Sequence, residues 1–335
     1  MKWPRSKYFR VAPPKGDKMK LLNLGDLHTT NKTPKRRTDN FFESFDQKLT
    51  FILDTAKDEG VDAILQPGDF FDNYNASDYL LQYMISKYKE YKIPIITIYG
   101  QHDLRFHSSN KENTPLAVLE ASGVVSIAGY IRSIISNHNV HIYGCSWGED
   151  IPVPKDTDAF NILLIHKMII KDEKLWFGQE DYTMSRSMLK GSLWDLVISG
   201  DNHQSFVQTL GDKTLINCGS LMRSTIAQKD HKPVCYIFDV DTRSMKEIFI
   251  PCKPFSEVFN EDKIEEEKVR NKVLEQFVDS LQNDISFTGL DFSRNLEEYL
   301  SSNKGIDEGT FSIINELLGR NDNGGEHNQR VRRSR

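Results

Sequence analysis

Five short apolar runs rich in β-branched residues, at 21–24, 63–65, 93–99, 162–165 and 196–198, each give way within a few residues to a polar turn carrying Asp or His. Between them lie stretches of helical periodicity, at 40–59 with Phe41, Phe42, Phe45, Leu49, Ile52, Leu53 and Ala56 on one stripe, and at 77–91. Apolar strands alternating with amphipathic helices specify an α/β layered fold. In such a fold, ligands bind beyond the carboxyl ends of the strands, because the loops there converge on one edge. The five polar turns can therefore meet at a single site.

Residues 140–147 and 213–240 read as further strands, the latter with a turn signature at Asn217, Gly219 and Ser220. A mixed two-sheet β-sandwich flanked by helices fits this pattern better than a purely parallel sheet. The sandwich is expected over 19–252, behind a flexible N-terminal extension at 1–18. After Pro254 the composition turns to charged helix over 253–319, with Ile264, Val269, Val273, Phe277, Val278 and Leu281 at roughly helical spacing. Residues 320–335, rich in Gly, Asn and Arg, read as a disordered tail. No apolar run approaches the roughly 18–20 residues of a membrane span, and the first residues lack an apolar signal core. The four scattered cysteines form no CxxC pair, so a cytoplasmic protein with reduced thiols is expected, in a cell or in the host of a bacterial virus.

The net charge of −5 belongs to the C-terminal segment, where 17 acidic and 12 basic residues follow Cys252, against 31 of each before it. The overall charge therefore does not exclude a nucleic-acid partner for residues 1–252, and divalent ions would add positive charge that a sequence count omits.

The strand ends supply Asp26 and His28 in GDLH, Asp69 and Asp72 in GDFFD, and Gln101, His102 and Asp103 in GQHD. Farther on come His166 in LLIHK, then Asp201 and His203 in SGDNH. Each motif alone is weak, since a lone His after a strand is usually just hydrogen-bonded. Together, imidazoles and carboxylates from several loops suit divalent transition metals, and a shared carboxylate can bridge two ions.

In this order, and each behind an apolar strand, the five elements resemble the calcineurin-like metallophosphoesterase superfamily over about residues 19–250. The resemblance implies a binuclear metal site, with Asp26, His28, Asp69 and His203 on the first ion. Asp69, Gln101, His166 and Asp201 would hold the second, with Asp69 as the bridge. It also implies that His102 stabilises or protonates the leaving oxygen. Asp103 would orient His102 by hydrogen bonding, or be purely structural. Two positions depart from the family pattern: Gln101 stands where Asn is usual, and Asp201 where His is usual. Oxygen ligands at both shift the expected preference toward Mn²⁺ or Mg²⁺ and away from Zn²⁺. The second site is then either retained and manganese-selective, or lost.

Within the superfamily, the stretches RTDNFFESFDQKL, VDAILQPGDFFD, IPIITIYGQHDL and INCGSLMR resemble SbcD-type nuclease subunits of DNA repair and recombination. That resemblance implies a Mn²⁺-dependent DNA endo- or exonuclease hydrolysing phosphodiester bonds, a coiled-coil ATPase partner of the SbcC type, and a homodimer. Lys32, Lys35, Arg36 and Arg37 form a basic loop that could contact a DNA backbone, as could Arg105; an ordinary solvated loop reads the same. Residues 255–318, with 15 acidic and 6 basic side chains, would either dock the ATPase or pack back on their own domain. No aromatic stacking platform is visible, which suits sequence-independent cutting. The alternatives are a phosphoesterase acting on small molecules or phosphoproteins, and a catalytically inactive scaffold.

Overall fold

The computed structural model describes residues 18–107, 110–135, 138–175 and 179–260. In chain order it runs β1 (Lys20–Asn23), α1 (Phe41–Asp58), β2 (Ala63–Gln66), α2 (Asp78–Tyr91), β3 (Ile95–Thr97), α3 (Pro115–Ala121) and β4 (Ser126–Ile127). Then come β5 (Tyr130–Ile135), β6 (His138–Cys145), β7 (Phe160–His166), β8 (Ile169–Ile170), β9 (Thr183–Met184) and α4 (Ser185–Leu189). The last are β10 (Leu196–Gly200), β11 (Phe206–Leu210), β12 (Lys213–Asn217), β13 (Val234–Asp239), β14 (Met245–Phe249) and α5 (Phe255–Val258). Of the expected flexible extension only Lys18 is described, and of the expected C-terminal helical segment only 253–260; the expected tail at 320–335 lies outside the described residues.

The helices begin where the sequence offers an acceptor. Asn40 caps α1 by accepting from the Glu43 amide at 3.2 Å, and Ser77 caps α2 by accepting from Leu80 at 3.2 Å. Phe41, Phe45, Leu49, Ile52, Leu53 and Ala56 fall on one face of α1 and are buried. Leu80, Met84 and Tyr88 do the same for α2 at a spacing of four. The left-handed Lys92, at φ 58°, ends α2 and turns the chain toward β3.

Two mixed six-stranded sheets form the architecture, in the orders β14-β13-β1-β2-β3-β4 and β11-β12-β10-β7-β6-β5. In the first, β1 to β4 are parallel, and β13 and β14 add antiparallel partners at one side. In the second, β12, β10, β7 and β6 are parallel, flanked by antiparallel β11 and β5. Alternate residues face opposite sides of a strand, and both faces here are apolar. Leu21, Ala63, Leu65 and Ile96 of the first sheet meet Ile142, Ile162, Leu164, Leu196 and Ile198 of the second in a shared interior. Leu22, Ile64 and Ile95 turn outward under α1 and α2, while Leu163, Ile165 and Val197 turn outward under α4 and Trp194. No described helix is long and apolar enough to cross a membrane.

Register decides which residues reach the sheet edge together. The pairing of β10 with β7 sets Gly200 opposite His166, so Asp201 leaves the sheet beside that imidazole. The parallel ends of β1, β2 and β3 open toward the same rim.

Candidate metal centre

Past β1, the amides of Leu27 and His28 both donate to the Asp69 carbonyl, at 3.1 and 3.0 Å, hanging the GDLH turn on the GDFFD turn. The GQHD turn is tied in by Asp103, whose carboxylate accepts the amides of Phe70 (3.1 Å), Phe71 (2.9 Å) and Gly100 (3.0 Å). His102 N donates to Asp69 Oδ1 at 2.9 Å, and Asp201 N to Asp26 Oδ2 at 2.9 Å, so backbone amides aim both carboxylates inward. The approach is close enough to demand glycine. A Cβ on Gly100 would lie 2.1 Å from Asp69 Oδ1, and one on Gly200 2.5 Å from Asp26 Oδ1.

The seven side chains singled out as metal ligands come together. Asp69 Oδ2 lies 3.4 Å from His166 Nε2, 3.8 Å from His28 Nε2 and 4.0 Å from His102 Nε2. His203 Nε2 is 3.5 Å from Asp26 Oδ2 and 3.0 Å from His28 Nε2. The two unusual positions touch each other, with the Gln101 amide donating to Asp201 Oδ1 at 2.8 Å. Asp26, Asp69 and His166 form a buried floor, while the side chains of His203 and His102 are 41% and 44% exposed at the rim.

This donor set fits divalent ions. Asp26 Oδ1, Asp69 Oδ2, Gln101 Oε1 and His166 Nε2 are buried without a hydrogen-bond partner, a costly arrangement unless a cation takes up the lone pairs. His166 donates Nδ1–H to the Pro67 carbonyl at 2.7 Å, which turns Nε2 inward, as a histidine that ligates a metal is commonly held. Electrostatics point the same way. Burial holds His28 neutral, its pKa pushed down to about 3 despite Asp69, with His203 and His102 adding to the fall. Burial also pushes Asp26 well up, His166 opposing it and the Asp69 carboxylate reinforcing it. Burial works to raise Asp69 as well, but His166, His28 and His102 outweigh it and hold that carboxyl well below its ordinary range. The same attraction overcomes the burial of His166 and raises it to about 10, so that without an ion a proton takes the place on Nε2 that a cation would fill. Carboxylates crowded against one another in a buried floor favour added positive charge.

Of the two roles expected for Asp103 one falls away, and the expectation for Arg37 is corrected. Asp103 does not hold the His102 ring: its oxygens are taken by three backbone amides, and the ring's Nδ1 instead meets the Asp72 carbonyl at 2.7 Å. Burial, reinforced by Asp69, raises the Asp103 carboxyl to about 7. Arg37 does not face solvent with the rest of the basic loop. It pairs with Asp39 at 2.7 and 2.6 Å, donates to the Arg223 carbonyl at 2.8 Å, and lies over the rings of Phe41 and Phe259. Lys32 and Lys35 are exposed, Arg36 is half-buried, and Arg105 is exposed on the His102 side.

Supporting residues outside the motifs also emerge. Asn217, buried at the end of β12, donates to the carbonyls of Asn202 (2.7 Å) and Gln204 (2.6 Å), fixing the loop that presents His203. Gln228 reaches Ser220 Oγ at 2.7 Å and approaches His203 Nδ1 at 3.5 Å. Asn217 stands within a recognisable turn signature; Gln228 is the N3 residue of a Thr225–Gln228 capping box, a signal of a helix start rather than of a site.

The sequence pattern of the calcineurin-like phosphoesterase family matches residues 19–234. The chain is 24% identical over 314 residues to the double-strand break repair protein MRE11 of Encephalitozoon cuniculi, covering 76% of this chain and 52% of that protein. It is 28% identical over 140 residues to the DNA double-strand break repair protein Mre11 of Sulfolobus acidocaldarius, covering 40% of this chain and 35% of that one. A third similarity, 27% over 119 residues, is to a Xenorhabdus bovienii protein named "Probable cyclic nucleotide phosphodiesterase", covering 35% of this chain and 47% of that one. The chain spans about half the length, or less, of these curated relatives.

Proposed function

The chain belongs to the calcineurin-like phosphoesterase family, and from that premise we propose that it is a metal-dependent DNA nuclease, endo- or exonucleolytic, serving as the catalytic subunit of a repair or recombination complex. One observation carries the chemical part of this reading: buried, unpartnered lone pairs from both sheets converge beside an exposed imidazole. The choice of DNA is supported by relatives named as double-strand break repair proteins.

In this reading Asp26, His28, Asp69 and His203 hold one divalent ion, and Asp69, Gln101, His166 and Asp201 the other. Bound there, the ions supply Lewis acidity to the phosphoryl oxygens and to an attacking water. The remaining work falls to the chain's own groups. Asp69, gripped at its carbonyl and at Oδ1 by amides, keeps Oδ2 turned to the centre. His102 leaves Nε2 free toward the rim because Nδ1 meets the Asp72 carbonyl, and Nε2 holds or protonates the leaving oxygen. Oxygen donors at Gln101 and Asp201 favour Mn²⁺ over Zn²⁺. Lys32, Lys35 and Arg105 contact the substrate backbone. The acidic segment 255–318 docks a coiled-coil ATPase of the SbcC type, and the chain works as a dimer.

The test is incubation of the purified chain with Mn²⁺ and, in parallel, linear duplex DNA, single-stranded DNA and a chromogenic phosphodiester. DNA degradation is expected, with His102→Ala lowering kcat about 10²–10⁴-fold while still binding metal by titration. Hydrolysis of the small ester alone moves the assignment to a small-molecule phosphodiesterase. Verified metal binding with no turnover of any substrate makes the chain a scaffold.

A further inference from the structure

Phe106 is 75% exposed and sits at φ 52°, ψ 35°, a left-handed conformation that an aromatic residue adopts only at a cost. Both the solvent and the backbone oppose this placement, which is the pattern of a side chain held out for something to cover it. Its ring is not alone. Tyr74 lies 5.3 Å away, centroid to centroid, with the planes at 51°, so the two rings form an open wedge rather than a closed stack. The guanidinium of Arg105 lies 5.5 Å from the Phe106 centroid and 5.8 Å from that of Tyr74, adding a planar cation to the same patch.

The patch adjoins the reacting centre through a defined link. Tyr74 follows Asp72 by two residues and Arg105 follows His102 by three; the His102 Nδ1 contact to the Asp72 carbonyl, at 2.7 Å, clips these two segments together. Phe106 is four residues beyond His102, at most about 14 Å of chain, on the side where the leaving group would depart.

We propose that Phe106, Tyr74 and Arg105 form a stacking platform for an unpaired nucleobase of the strand being cut. The substrate class rests on the nuclease reading above. Exposed aromatic faces with an arginine are what single-stranded nucleic acids stack upon, irrespective of sequence, because every base has a π-face. A paired base within a duplex offers no free face, so the platform favours ends, gaps and single strands over intact duplex. Such a platform is not visible in the sequence, because its proposed members lie 32 residues apart in the chain and meet only in the fold.

The experiment is fluorescence titration of the full chain with a single-stranded oligonucleotide carrying 2-aminopurine, in EDTA so that nothing is cut. The wild type should quench the probe by stacking. Phe106→Ala should abolish the quench and weaken binding roughly 5- to 100-fold, Phe106→Tyr should restore both, and Phe106→Leu should not. Tyr79→Ala, an aromatic 59% exposed elsewhere on α2, serves as control and should bind as wild type. Unchanged quenching in Phe106→Ala, or rescue by Phe106→Leu equal to that by Phe106→Tyr, overturns the platform. Its fate separates from that of the nuclease reading: a chain that stacks the probe through Phe106 but cuts no DNA with metal bound upholds the platform, and one that cuts DNA with no Phe106-dependent quench rejects it.

Discussion

His28, Asp69 and Asp201 all have positive φ, at 45°, 49° and 84°. Non-glycine residues of this kind carry strain of roughly 1–3 kcal/mol each, and their clustering at one rim shows local stability given up to aim side chains. Asp103 is the counterweight. Replacing it with Ala orphans three buried amides, and unfolding in urea should show a loss of about 3–5 kcal/mol. A variant of unchanged stability but reduced turnover would return Asp103 to the role of orienting His102. Gln101 and Asp201 form a second coupled unit, since the amide of one donates to the carboxylate of the other. Calorimetric Mn²⁺ titration of Gln101→Asn, Asp201→His and the double variant should be non-additive by about 1 kcal/mol; additive losses would mean the two departures arose independently. The positions of the candidate ligands are legible because each closes an apolar strand. The partners of His166 and His102 are not, because the Pro67 and Asp72 carbonyls are backbone groups with no sequence signature.

At the scale of elements, periodicity read the long helices to within a residue, because Asn40 and Ser77 announce their own caps and the apolar stripes repeat over four turns. Strands β5, β11 and β14 escape notice: they are outermost in their sheets, and their apolar runs are broken, as in Met245–Phe249. Helix α1 also carries an anomaly within its buried face. Lys48 is 6% exposed and donates to the Leu221 carbonyl at 2.9 Å, with Arg37 and Arg223 nearby; burial lowers its pKa to about 8 from 10.5. Between those two values the unfolded chain holds a proton that the folded one has released, so this residue makes stability rise with pH across that window, and its charge is a burden below about 8. Comparing wild type with Lys48→Met by urea unfolding at pH 7.5 and 9.5 should show the wild type gaining relative to the variant at the higher pH. A parallel response in both would mean that Lys48 keeps its proton when buried, as it does in the unfolded chain. Phe45→Ala, which empties a fully buried site on the same helix, should cost about 3–5 kcal/mol at every pH.

For the molecule as a whole, ligand binding and stability are linked. The candidate centre gathers Asp26, Asp69 and Asp201 with few internal partners, so divalent ions binding the native state alone should raise its stability by about 2.7 kcal/mol at a hundredfold excess over Kd. Dialysis against chelator should therefore lower Tm by roughly 5–10 °C, and Mn²⁺ should restore it. A Tm indifferent to chelator would count against any ion at this rim.

The same rim draws Asp26, His28, Asp69 and Gln101 from strands of the first sheet, and His166, Asp201 and His203 from the second. Neither half holds a complete donor set. A ribosome must therefore deliver the chain through His203, and the two halves must close on each other, before the candidate centre is complete. A chain assembled this way holds no complete donor set until its second sheet has been made.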